Sequence, residues 1–139
     1  LPISESRNYH KRKNIGRPCP YCRRTMIGRC DEDDAYKRGL VATEEHITPR
    51  QMGGTDEPIN LMIACARCNN LRDTVPFDAF MPFARTVIQK FPDAPIRVLR
   101  VALKQYLMDL VAVGSKNHKA LNRACSLSLL CVVDALDER

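Results

Sequence analysis

Apolar residues recur with two different rhythms along this chain. In the first half they come as short runs bounded by polar loops, as strands do. Leu40 to Thr43 and Leu61 to Ala64 are two such runs, and Arg24 to Ile27 is a shorter candidate. Between the two main runs, Pro49 to Glu57 carries Gly53-Gly54 and reads as a loop that needs freedom in φ. Cys68 to about Thr74 opens a helix. In the second half the spacing becomes helical. Pro76 starts a helix over about Phe77 to Lys90, and Pro92 and Pro95 end it. Ile96 to Val113 places Leu99, Leu103, Tyr106, Leu107 and Leu110 on one face. Gly114 stops that helix, Ser115 offers an N-cap, and a last helix spans about Lys116 to Leu136.

That last helix is apolar nearly all round from Ala124 to Val133, so it needs cover on several sides. The preceding helices, a second copy or another protein would each provide it, and intramolecular packing is the favoured reading.

At 139 residues with 45% apolar content, the chain supports a modest core. No Trp and only 6% aromatics make that core mainly aliphatic. No run of 18 or more uncharged apolar residues exists to span a membrane. Leu1 points to a trimmed start, no signal peptide is evident, and a cytoplasmic location is expected. Seven cysteines is an odd count, which fits a reducing compartment better than a disulfide scaffold.

Charge is unevenly placed. The net value is +6, yet residues 1 to 29 hold eight Lys and Arg against Glu5 alone, a local +7. A basic arm of this kind suits a phosphate backbone, with a solubilising tail as the plain alternative. Asp31-Glu32-Asp33-Asp34 reverses the sign and reads as a solvated turn.

Two Cys-x-x-Cys pairs, Cys19/Cys22 and Cys65/Cys68, bracket Glu44-Glu45-His46-Ile47-Thr48-Pro49. Two such knuckles suit one tetrahedral zinc, with all four positions filled by thiolates and none left for water. That zinc is structural, and it would hold a small site rigid without a large core. Cys30, Cys125 and Cys131 read as ordinary buried thiols, and His10 and His118 as incidental.

Taken together, Glu45-His46-Ile47-x-Pro49, Gly53-Gly54, Asn60-Leu61 and Cys65-x-x-Cys68-Asn69 resemble the HNH endonucleases, in the branch stapled by a four-cysteine zinc. His46 stands 14 positions before Asn60 and 23 before Asn69, spacings usual for that family. The resemblance covers about residues 18 to 73. It implies an α+β fold, a small ββα-metal core followed by a helical extension.

It also implies a chemistry. Neutral imidazole is a base near pH 7, so His46 suits a water that must lose its proton as it attacks phosphorus. Glu45 and the side-chain carbonyl of Asn69 would hold a hard divalent cation, Mg²⁺ or Mn²⁺, with open positions left for water and phosphate. Asn60 would orient His46. Asn70 is a rival for the role of Asn69, and Glu44 for that of Glu45, although strand alternation turns Glu44 away. Arg50 and Arg72 are candidate phosphate contacts, with solvated arginines as the alternative.

The expected organisation is therefore a basic arm over 1–17, the nuclease core over 18–75 and helices over 76–139. The expected function is metal-dependent hydrolysis of DNA by nicking or double-strand cleavage. DNA is the expected partner, with a homodimer or protein partner on the apolar helices. The alternative is a zinc-stapled module that binds nucleic acid, or docks on an assembly, without catalysis.

Overall fold

The computed structural model describes residues 11–29, 34–113 and 118–137. His10, Cys30, Asp31 to Asp33, Gly114, Ser115 and the side chain of His118 lie outside the described residues, together with what the sequence suggests for them. The chain divides into two compact units, Leu1–Phe77 and Asp78–Arg139.

The first unit is built on a hairpin. Strand β1 (Ala42–His46) pairs antiparallel with β2 (Leu61–Cys65), in a register that sets Ala42 against Cys65 and His46 against Leu61. The long loop between them contains single 3₁₀ turns at Arg50–Met52 and Pro58–Asn60. Helix α2 (Ala66–Arg72) follows β2 without a break, and Cys65 Sγ caps it by accepting from Cys68 N–H. Strand, loop, strand, helix is the arrangement that the apolar pattern predicts, with helix and strand ends shifted by at most three residues.

Ahead of the hairpin, the first knuckle folds back on itself through a bridge between Pro18 and Thr25. The candidate strand at Arg24 to Ile27 is present only as that bridge and a second one from Ile27 to Val41. One helix went unpredicted: α1 (Ala35–Gly39). Asp34 caps it, its carboxylate accepting from Tyr36 N–H at 2.9 Å and Lys37 N–H at 3.2 Å. Asp34 is thus the capping residue of α1, and the bonds it accepts are exposed.

The core of this unit is small and sulfur-rich. Cys19, Tyr21, Met26, Ala64, Cys65, Cys68 and Leu71 are all buried, and so is Arg72.

The second unit is helical. Helix α3 (Phe77–Phe83) contains Pro82, whose nitrogen cannot donate to the preceding turn. The chain then widens over Ala84–Ile88 into a π turn, closed by Gln89 N–H donating to Ala84 O at 2.9 Å. Helices α4 (Ile96–Val113) and α5 (His118–Asp137) pack on each other, and α5 also packs on the π turn. Helix α4 has the limits that its pattern predicts. Leu99, Leu103, Tyr106 and Leu110 are buried as expected, whereas Leu107 is only half-buried. Helix α5 buries Ala124, Cys125, Ser128 and Val132, while Leu127 and Leu130 stay exposed. Its apolar circumference is therefore covered on one side by its own unit. No helix among the described residues is long and apolar enough to cross a membrane.

Candidate metal centre and active site

Cys19, Cys22, Cys65 and Cys68 bring their four Sγ atoms within 4.8 Å of one another, all buried. In a tetrahedral zinc–thiolate shell, bonds of about 2.3 Å put neighbouring sulfurs about 3.8 Å apart. Cys22 Sγ and Cys65 Sγ are separated by 3.8 Å. Backbone N–H groups support the sulfurs: Cys65 N donates to Cys19 Sγ and Cys68 N to Cys65 Sγ, each at 3.4 Å. Four sulfurs this close drive their proton affinities apart. Contacts with Cys19, then with Cys65 and Cys68, hold Cys22 far below the ordinary thiol value. Contacts with Cys19 and Cys22 push Cys65 and Cys68 up. At Cys19 the upward pull of Cys22 is outweighed by Cys65 and Cys68, leaving it at about 7. A divalent cation removes this conflict. The donor set fits zinc.

The first knuckle needs one strained residue. Arg23 follows Cys22 at φ 67, which lets Cys19 N donate to Arg24 O at 2.7 Å and Arg23 N to Cys19 O at 2.9 Å.

The two periodicities then assemble the site beside the metal centre. Thr43 and Glu45 are two apart on β1 and share the face that α2 covers. Asn69 and Arg72 are three apart on α2 and share the face that meets them. The Asn69 amide donates to Thr43 Oγ1 at 3.1 Å and to Glu44 O at 3.0 Å. A main-chain carbonyl can only accept, so the nitrogen must face the hairpin, and Asn69 Oδ1 has no hydrogen-bond partner among the described residues. Asn70 beside it is exposed.

Arg72 reaches deeper. It is fully buried, and its Nη1 lies 2.7 Å from Glu45 Oε1. Nη1 also donates to His46 O at 2.9 Å and to Tyr21 OH at 3.3 Å; Nε donates to Val75 O at 2.7 Å, and Nη2 to Ile47 O. Arg72 is therefore an internal strut. The expectation that it touches phosphate is corrected, because a guanidinium enclosed by these partners offers no face to a ligand.

Glu45 is 3% exposed, and neither of its oxygens makes a well-aligned hydrogen bond. Its contact with Arg72 is ionic. Burial raises the pKa of Glu45, and Arg72 pulls the other way.

His46 projects to the opposite side of β1, where its Nε2 lies 2.7 Å from Asp56 Oδ1. Arg50 donates to the same oxygen from Nε at 3.0 Å and from Nη2 at 2.8 Å. Glu44, Glu45, His46, Arg50, Asn69 and Asp73 all border one open cleft of about 430 Å³. Glu44 thus borders the cleft with Glu45, despite the alternation of the strand.

Asn60 does not touch the His46 ring. Its Oδ1 accepts from Thr48 N–H at 2.8 Å, and its Nδ2 donates to Thr48 O at 3.0 Å and Thr55 O at 2.7 Å. Asn60 O accepts from Ile47 N–H at 2.8 Å. Three of these bonds fix the chain directly after His46, and the fourth ties Thr55 to it. Gly53 at φ 88 allows the loop to turn, and Gly54 lies so close to Thr48 that a Cβ would sit 1.7 Å from its carbonyl oxygen.

Residues 19–74 match the family model described as HNH endonuclease. This segment is an HNH domain. The match spans both knuckles, the hairpin and α2, so the metal centre and the cleft lie within it. Comparison with curated proteins and with solved structures gave no significant match.

Three contributors to the HNH domain escaped the sequence reading. Asp56 is one acid in a loop with several, and only the fold brings it to His46. Tyr21 stands inside the first knuckle, where the cysteines carry the signal; burial, then the charge of Glu45, pushes its phenol up. Thr43 is marked only by being two residues before Glu45.

Proposed function

We infer that the chain is a metal-dependent HNH endonuclease hydrolysing DNA phosphodiester bonds. The observation that carries this reading is a single cleft bordered by His46, Glu45 and Asn69, with the carboxylate of Glu45 buried behind it. Open to solvent and flanked by Arg50, it suits a phosphodiester. The alternative of a binding module without chemistry gives no reason for these side chains to share one cleft.

His46 takes the proton of the attacking water, and Asn60 keeps His46 in place by holding the backbone of Ile47 and Thr48. Arg50, 59% exposed at its side chain, is available to a backbone phosphate. The oxygen donors of Glu45 and Asn69 suit a hard cation, because Asn69 Oδ1 is unused and the Glu45 oxygens lack aligned donors. Mg²⁺ or Mn²⁺ held there would supply positive charge to neutralise the oxygen that leaves. The zinc centre has no open position and takes no part in the chemistry.

Incubating zinc-loaded protein with supercoiled plasmid and Mg²⁺ or Mn²⁺ tests this reading. Nicked or linear DNA, with 5′-phosphate ends that a ligase reseals, supports it. Intact plasmid from zinc-loaded, folded protein overturns it in favour of a binding or docking module.

A further inference from the structure

We propose that Asp56 is a positioning residue for His46, selecting the ring nitrogen that acts as the base. This rests on the nuclease reading and adds to it a residue outside the set that the sequence marks.

The argument begins with direction. A carboxylate only accepts, so in the 2.7 Å contact between His46 Nε2 and Asp56 Oδ1 the neutral ring carries its proton on Nε2. Nδ1 then holds the lone pair. Asp56 is itself held, because Arg50 donates to the same Oδ1 from two nitrogens of one guanidinium, at 3.0 and 2.8 Å. The loop is held as well: Asn60 binds the carbonyl of Thr55, the residue before Asp56, and both backbone groups of Thr48. One asparagine thus sets the spacing between the strand end that carries His46 and the turn that carries Asp56.

Stability is not what this contact supplies. Asp56 is 46% exposed at its side chain, and ion pairs so open to solvent contribute little. Its effect is to keep the ring in one tautomer and one orientation, the service that partners of functional histidines give, commonly worth about 10- to 100-fold in activity.

The test compares zinc-loaded wild type, Asp56→Ala and Asp56→Glu by two readouts. In protein labelled with ¹⁵N-histidine, wild type should show a slowly exchanging Nε2 proton on His46. Asp56→Ala should lose it and Asp56→Glu should regain it. In single-turnover nicking, Asp56→Ala should lower kcat about 10- to 100-fold with KM unchanged, and Asp56→Glu should recover most of the rate. A protected Nε2 proton that persists in Asp56→Ala overturns the proposal. So does a rate loss that comes through KM and that glutamate does not repair, since that describes a damaged loop. If wild type cuts nothing, the nuclease reading fails by itself. The proton resonance then decides the pairing alone, its presence upholding the link from Asp56 to His46 and its absence removing it.

Discussion

Arg72 Nη1 lies 2.7 Å from Glu45 Oε1, and the two side chains are 0% and 3% exposed. The pair ties the helix that carries Cys68 to the strand that carries His46, so the metal centre and the cleft share one support. Removing one member of a buried pair leaves an uncompensated charge, at a cost of about 3–5 kcal/mol. Arg72→Met should lower the unfolding free energy of the HNH domain by about that amount. Arg72→Lys should fall between, because an ammonium keeps the charge but cannot reach the carbonyls of His46, Ile47 and Val75 together. Denaturant unfolding of the zinc-loaded variants measures both, and a loss below about 1 kcal/mol for Arg72→Met would contradict the strut.

The loop makes a sharper steric statement. A Cβ on Gly54 would sit 1.7 Å from Thr48 O, so Gly54→Ala must push apart the segment that Asn60 clamps. Nicking should collapse while zinc content stays normal. Gly53→Ala meets nothing within 4 Å and bears only the cost of φ 88, about 1–2 kcal/mol. It should keep most activity and lose some stability. Equal behaviour of the two variants would count against the close approach.

Zinc removal should act on one part of the chain. Chelation, or Cys→Ser at any of the four knuckle positions, should abolish amide protection around β1, β2 and α2. Helices α4 and α5 have their own apolar core and should keep their protection. Hydrogen exchange with and without chelator separates the two responses.

Tyr106 gives a prediction in pH. Its hydroxyl donates to Ala79 O, which only the protonated form can do. Burial, and then Cys125, push its pKa above the ordinary phenol value. The folded state therefore holds this proton more tightly than the unfolded chain, whose tyrosines ionise near pH ~10. The stabilisation is complete below that pH and is lost as pH rises through the higher folded value. Tyr106→Phe should flatten that alkaline decline of the helical unit and cost about 1 kcal/mol at neutral pH from the lost hydrogen bond. A decline unchanged by the substitution would remove Tyr106 as its cause.

Much of the HNH domain could be read in advance because its signals are local. Each cysteine pair is four residues long, and the strands announce themselves as short apolar runs. What escaped was set by tertiary contact. Arg72 looks like any helical arginine until the hairpin closes over it. Asp56 becomes a partner of His46 only when a long loop returns. Helix α1 is one turn and a half, too short for periodicity, and only the cap at Asp34 marks its start. In α3 the proline at position 82 predicts a disturbance, but not that the chain widens into the π turn on which α5 packs.

The central claim is that His46 is the base. The direct measurement is single-turnover nicking of supercoiled plasmid by zinc-loaded wild type and His46→Ala, with Mg²⁺ or Mn²⁺ present. Loss of one general base costs about 10²–10⁴-fold, so the variant should be slower by that factor, with zinc content, fold and plasmid affinity unchanged. A His46→Ala protein that nicks at the wild-type rate would contradict the account.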